Sequence, residues 1–319
     1  FQNYVKELSK GGVILCVCSK NEESITKNAF KNHPEMSLKL SDFACFIANF
    51  NDKASNIIEI SSRINLGLES IVFADDSPTE CEWVKNKLPE VTVINLNSDP
   101  STYAWQIERL NLFVKSGFTK EDASRNKSFK SIAKIKNGLS KSKDLEKFLR
   151  DLNPVFNFEN VMDHNVQRIL QLLAKTNQFK LNTSVFSYSE IELLANSTFA
   201  IKFKDRLHDY GIVAVVVTKK EGKLLNITNW VMSCRVFSRR LEFATRRLLS
   251  KIALNLNCEE IKLCYFPSDR NQMIVPLLSQ LGFQKSNNNE YISPSQYPEK
   301  MPKDFMQLNT KSFKIKYEK

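Results

Sequence analysis

Three short apolar runs constrain this chain more than any other feature. Each halts abruptly at polar residues, and helix-length segments separate them. The first, residues 13–18 in "VILCVCSKN", stops at Ser19, Lys20 and Asn21. The second, 70–74, stops at Asp75 and Asp76 in "FADDSP", and the third is 91–96. A strand buried on both faces reads as such a run. Between them lie helix patterns over 22–30, over 52–66 (Ile57, Ile60 and Ile64 on one face, Gly67 as cap) and over 78–88. Residues 1–10 read as a further helix, closed by Gly11-Gly12. Strand alternating with helix predicts an α/β domain over 1–113, a doubly wound parallel sheet. Ligands bind outside the carboxyl ends of strands in such sheets. The polar endings are therefore either a site or strands running out into solvent.

The rest of the chain has a different character. Residues 114–153, rich in Lys and Ser, read as a helical linker with two surface helices, ended by Pro154. Residues 154–292 form a second α/β unit. It has a strand at 155–158, an amphipathic helix at 163–177 and antiparallel strands at 199–204, 211–218 and 224–233. A long basic helix at 239–254, a strand at 260–266, a helix at 273–281 and a last strand near Tyr291 follow. Residues 293–319, rich in Pro and Lys, read as a peripheral basic tail.

Charge separates the halves. Residues 1–113 carry 11 basic and 15 acidic side chains, and the remainder 35 and 20, giving the net +11 of the 319-residue chain. Opposite signs suggest different partners: nucleic acid, a phosphorylated cofactor or an acidic protein for the basic half, or merely a solvated lysine-rich surface. Nucleic acid fits poorly, because Phe237, Phe243 and Tyr265 fall in core periodicity and are not interleaved with bases as a stacking platform. No apolar stretch approaches the roughly 20 residues of a membrane span, so no membrane role is expected. Seven scattered cysteines without a CxxC, and three histidines, argue against zinc and disulfides and for a reducing cytoplasm.

The strand ends bring chemistry together. Ser19 offers a hydroxyl, Lys53 in "NDKA" an ammonium at a helix start, and Asp75 with Asp76 two carboxylates. Hydroxyls and helix N-terminal amides hold phosphate oxygens, a lysine neutralises developing charge, and paired carboxylates suit Mg2+. Singly each has a plain alternative: an exposed lysine, or a helix-capping Asp-Asp-Ser-Pro turn.

The order Ser, Lys, Asp-Asp resembles three motifs of the haloacid dehalogenase (HAD) superfamily. The phrases "VCSKNEE", "HPEMSLKLSDFACF", "NFNDKASNI", "LGLESIVFADDSPTE", "AKTNQFKLNT", "DYGIVAVVV" and "VMSCRV" resemble its FkbH-like branch, over about nine-tenths of the chain. The resemblance implies a HAD-like sheet followed by a GNAT-like domain with a mainly antiparallel sheet. It makes Ser19 and Asn21 phosphate-binding, Lys53 the lysine that steadies nucleophile and phosphate, and Asp75 and Asp76 the Mg2+ pair, with Asp76 favoured for the metal and Asp75 for Lys53. It implies Mg2+-dependent dephosphorylation of a phosphoglycerate-type three-carbon donor, with glyceryl transfer through a thioester to the phosphopantetheine of an acyl carrier protein. Cys18 is then a candidate nucleophile, its thiolate favoured by Lys20 and Lys53, or else a small buried hydrophobe as Cys16 is. The nucleophilic aspartate of a DxDxT strand would precede Phe1. Either the protein extends upstream, or this is a fragment that binds phosphate without turning it over.

In the second half, GNAT-like domains bind the coenzyme A pyrophosphate at the start of the long helix, through Arg/Gln-x-x-Gly-x-Gly/Ala. Here the stretch keeps Arg235 but fills both glycine positions, with Ser238 and Arg240. Either coenzyme A binding is lost, or Arg239 and Arg240 meet phosphate as side chains. A basic helix bearing Arg239, Arg240, Arg246, Arg247 and Lys251 would suit an acidic carrier, unless it is simply a solvated face. Asn177 is a further candidate acyl-site residue. Alternatives are a HAD-type phosphatase with a degenerate GNAT domain, and a non-catalytic phosphate- or carrier-binding module.

Overall fold

A computed structural model describes residues 1–96, 99–114, 128, 129, 131, 132, 145–237 and 239–309. The chain divides into two compact units, Phe1–Lys141 and Ser142–Lys319. Most of the expected linker lies outside the described residues.

In the first unit the elements run α1 Gln2–Lys10, β1 Leu15–Ser19, α2 Glu23–Asn32, β2 Phe43–Ala48, α3 Lys53–Ile64, β3 Val72–Asp75, α4 Pro78–Lys87, β4 Thr92–Asn95 and α5 Tyr103–Glu108. All pairing is parallel, as strand–helix alternation requires. The expected single sheet, however, is two two-stranded sheets, β1–β2 and β3–β4. Among the described residues β1 pairs only with β2, and β3 only with β4. The sequence reading did not include β2, the six-residue apolar run "FACFIA".

Helices cover these pairs. Val5 of α1 packs with Leu15, Val17, Phe30 and Phe43, while Tyr4 packs with Val72, Ala74 and Ile94, so α1 touches both sheets. Ala54 and Ile57 of α3 join Phe73, Cys81 and Val84 in a third cluster. The starts of α3 and α4 are set by capping. Asp52 accepts from the Ser55 amide, and Ser77 accepts from the Glu80 amide ahead of Pro78 at the first helical turn. Asn65 closes α3 in the left-handed region at φ 55°, which an asparagine tolerates.

The second unit comprises α6 Leu145–Asp151, β5 Val155–Asn160, α7 Val166–Lys175, β6 Phe179–Lys180, α8 Tyr188–Leu193, β7 Thr198–Lys204, β8 Asp209–Glu221, β9 Leu224–Met232, α9 Leu241–Asn255, β10 Glu260–Cys264, α10 Ile274–Gln280, β11 Gln284–Lys285, β12 Glu290–Pro294 and β13 Gln307–Asn309. Its nine-stranded sheet has the order β11-β12-β10-β9-β8-β7-β5-β13, with β6 on β9. It is mixed and mostly antiparallel; β9–β10 and β5–β13 are parallel. The apolar run of β8 is buried on both faces. Phe199, Val213 and Val216 pack with Leu241, Leu248 and Leu278 of α9 and α10, while Val215 and Val217 pack with Ile169, Leu173 and Ile191 of α7 and α8. The mean of such burial is about 2 kcal/mol per large aliphatic side chain.

The expected peripheral tail is integrated instead up to residue 309. Residues 290–294 are β12, Met306 is in the core, and Asp304 is buried against Arg247.

Candidate functional site

The carboxyl ends of β1 and β3 and the amino ends of α3 and α4 meet around Lys53. Its Nζ donates to Asp75 Oδ2 at 2.7 Å and to the Cys18 carbonyl at 3.1 Å, and it lies over the Phe73 ring at 5.7 Å. Lys53 is 7% exposed, so its charge is held by an ion pair in a desolvated setting. Asp75 uses its other oxygen to accept from the Ser77 amide at 3.0 Å. One lysine thus ties the end of β1 to the end of β3.

Ser19, at the tip of β1, accepts the Asn49 amide on its carbonyl at 3.1 Å. No hydrogen bond engages its hydroxyl among the described residues, which leaves that group available to a ligand. Asn21 is exposed and accepts from the Glu22 amide at 2.8 Å. Asp76 is exposed and its carboxylate has no hydrogen bond or ion pair among the described residues. For Mg2+ the fit is partial. Asp76 offers the hard oxygen ligand the ion requires, whereas both Asp75 oxygens are engaged. No group of three His, Cys, Asp or Glu side chains gathers for a metal among the described residues.

Cys18 does not have the expected thiolate environment. Burial pushes its thiol up to about 11, and Asp75, Glu80 and Asp52 add to the rise against the opposing charge of Lys53. Its Sγ donates to the Lys53 carbonyl at 3.9 Å. Lys20, expected to help the thiolate, pairs with Glu80 at 2.8 Å.

Two further residues were not singled out in sequence. Asp52 caps α3 and also accepts from Trp83 Nε1 at 3.1 Å, joining α4 to the helix that carries Lys53. These bonds hold its carboxyl down to about 2, the Ser55 side chain and amide first and Trp83 next. Asn56, 1% exposed, donates to Asn49 Oδ1 at 2.8 Å. The Asp-x-x-Ser capping pattern signalled Asp52; the Trp83 contact spans 31 residues and left no local signal.

Asn177, Arg235 and Arg239 lie in the second unit. Arg239 is 2% exposed and saturated: Nε donates to Asp205 at 3.2 Å, Nη2 to the Tyr210 hydroxyl at 2.7 Å, and Nη1 to the carbonyls of Arg235 and Phe237. Arg235 is buried against Ser233 Oγ. Asn177 is exposed, and with its amide turned so that the oxygen faces Arg270 it accepts from Nη1 at 3.3 Å. Arg240 sits at φ 62°, the left-handed region that favours glycine, and donates to the Lys303 carbonyl at 2.6 Å. Ser238 lies outside the described residues.

The basic helix also turns inward. Arg246 is fully buried and donates to the Leu281 and Pro294 carbonyls and to Ser293, while Arg247 makes a two-pronged pair with Asp304 at 2.8 and 3.0 Å. Burial holds Arg246 down to about 10. Of the five basic residues read as one face, Lys251 alone is exposed.

No family model and no curated protein matches this chain. Solved structures do. The N-terminal part of a Bacteroides fragilis protein, containing a phosphatase domain and complexed with Mg, is 46% identical over 37% of this chain and 31% of that one, with a TM-score of 0.36. The chain therefore spans about a third of that structure's length. A ribosomal-protein alanine N-acetyltransferase from Escherichia coli is 11% identical over 46% of this chain and 99% of its own, TM-score 0.34. A GNAT-family acetyltransferase from Staphylococcus aureus is 10% identical over 44% and 100%, TM-score 0.36. Among the described residues no helix is long and apolar enough to cross a membrane.

Proposed function

We propose that the first unit is a phosphoryl-transfer site of the HAD type and that the protein couples dephosphorylation of a phosphoglycerate-type donor to glyceryl transfer onto an acyl carrier protein. The observation that carries the phosphoryl part is the Lys53–Asp75 pair at 2.7 Å, held between Ser19 and the unbonded carboxylate of Asp76. Ser19 donates its hydroxyl to a phosphate oxygen and Lys53 neutralises charge on the transferring group. Asp76 would hold Mg2+, which supplies further charge neutralisation at the phosphoryl oxygens when bound.

For the second unit we favour phosphopantetheine over coenzyme A. Arg239 commits its guanidinium to Asp205, Tyr210 and two carbonyls and Arg240 turns Nη1 to the Lys303 carbonyl, which disfavours their meeting a pyrophosphate, a group that phosphopantetheine lacks. A phosphatase with a degenerate second unit is the competing reading, favoured by the raised Cys18 thiol.

Intact mass of the full-length protein after incubation with a phosphoglycerate donor and Mg2+ tests both. A glyceryl adduct removed by hydroxylamine supports the coupled reaction. Phosphate release without adduct leaves the phosphatase, and neither product defeats the proposal.

A further inference from the structure

The loop between β2 and α3 is pinned at both ends yet presents its one aromatic side chain to solvent. At its start, the Asn49 amide donates to the Ser19 carbonyl at 3.1 Å. Asn49 Oδ1 accepts from the Asn51 amide at 3.0 Å and from buried Asn56 at 2.8 Å. At its end, Asp52 is fixed by the Ser55 amide at 3.0 Å and by Trp83 at 3.1 Å, and Lys53 follows directly. Phe50 stands between these anchors and is 75% exposed.

Such exposure is unfavourable for a phenyl ring. A mobile loop could relieve it by folding the ring inward. Here bonds on either side fix the backbone, so the ring stays out. The loop also joins the two groups assigned to phosphate: its first residue is bonded to Ser19, and its last precedes Lys53. Phe50 thus stands one residue from the Asn49 contact to Ser19 and three residues before Lys53.

We infer that Phe50 is a specificity-determining residue, packing against the carbon skeleton of an organic phosphate anchored at Ser19 and Lys53. The inference rests on the phosphoryl-site reading of the first unit and extends it to the substrate's non-phosphate part. An aromatic face accepts C–H-rich surfaces without needing hydrogen-bond matching, so Phe50 discriminates organic phosphates from inorganic phosphate.

The test is NMR titration of the full-length protein with phenyl phosphate and with inorganic phosphate, in the wild type, Phe50→Ser and Phe50→Tyr. In the wild type phenyl phosphate binds about tenfold tighter than inorganic phosphate. In Phe50→Ser that preference falls to about twofold or less, and Phe50→Tyr, which keeps the ring, restores it. An unchanged preference in Phe50→Ser overturns the role of Phe50 while leaving the phosphate site standing. Absence of binding by either probe to the wild type overturns the phosphate site and, with it, this inference.

Discussion

Lys53 and Asp75 lie 22 positions apart in sequence, on different strand–helix units, and their side chains meet at 2.7 Å with 9% and 13% exposure. The pair does two jobs. It fastens β1 to β3 through the additional bond to the Cys18 carbonyl, and it keeps a cation at the strand ends that lead into Ser19 and Asp76. On the proposed function, stability and phosphate chemistry would be coupled at one residue.

Replacing Lys53 by Met separates the jobs. The half-buried Asp75 loses its cation and keeps only the Ser77 amide. Breaking one half of a buried pair costs about 3 kcal/mol, so the urea midpoint drops. Under native conditions phosphoryl turnover of the full-length protein falls by about 100-fold, the usual scale for removing one preorganised charge-stabilising group. Retained turnover in a folded Lys53→Met variant would remove Lys53 from the mechanism.

The saturated Arg239 leads to a second expectation. Because Asp205, Tyr210 and two carbonyls consume its donors, Arg239→Ala strands a buried carboxylate. The second unit should lose roughly 3 kcal/mol of stability. Coenzyme A and phosphopantetheine should bind the wild type within about threefold of each other, since Arg239 is already committed and does not turn to the nucleotide end. Calorimetry showing coenzyme A about 100-fold tighter would contradict the closed arrangement of this loop.

Cys18 provides a third. A thiol raised to about 11 is almost wholly protonated at neutral pH, and the thiolate is the reactive form. Iodoacetamide should leave Cys18 unlabelled at pH 7 in peptide maps of the native protein. Asp75→Asn removes one of the carboxylates that raise this thiol and should speed its labelling. Rapid labelling of the wild type at pH 7 would restore Cys18 as a ready nucleophile.

Legibility in the sequence followed the range of the signal. The strand ends with Ser19 and Asp75, the α3 stripe of Ile57, Ile60 and Ile64, and the run of β8 were all readable, because local periodicity encodes them. β2 and two-residue β6 were missed; β6 is too brief for any period to register, whereas β2 is a six-residue apolar run as long as those that were read. The arginines of α9 misled for a different reason. Arg246 and Arg247 look like a charged face in sequence, but their partners Ser293 and Asp304 are 47 and 57 residues away. Only the fold reveals that such charges are already neutralised or hydrogen-bonded.

The first turn of α9 supplies a pH-dependent expectation. Burial raises the Glu242 carboxyl from its ordinary value near 4.5 to about 7, against the opposing pull of its own amide and of Arg240. The folded protein therefore holds a proton that the unfolded chain releases between these values. By linkage, the stabilising contribution of this proton is complete below pH 4.5 and is lost as pH rises through 7. Glu242→Gln keeps the shape of the protonated acid and cannot ionise. It should match the wild type at pH 4.5 and exceed it at pH 8 by on the order of 1 to 3 kcal/mol. Urea denaturation at the two pH values measures the difference directly. A gap of equal size at both would mean that Glu242 is ionised in the folded protein throughout, with solvent reaching its carboxylate at the helix start.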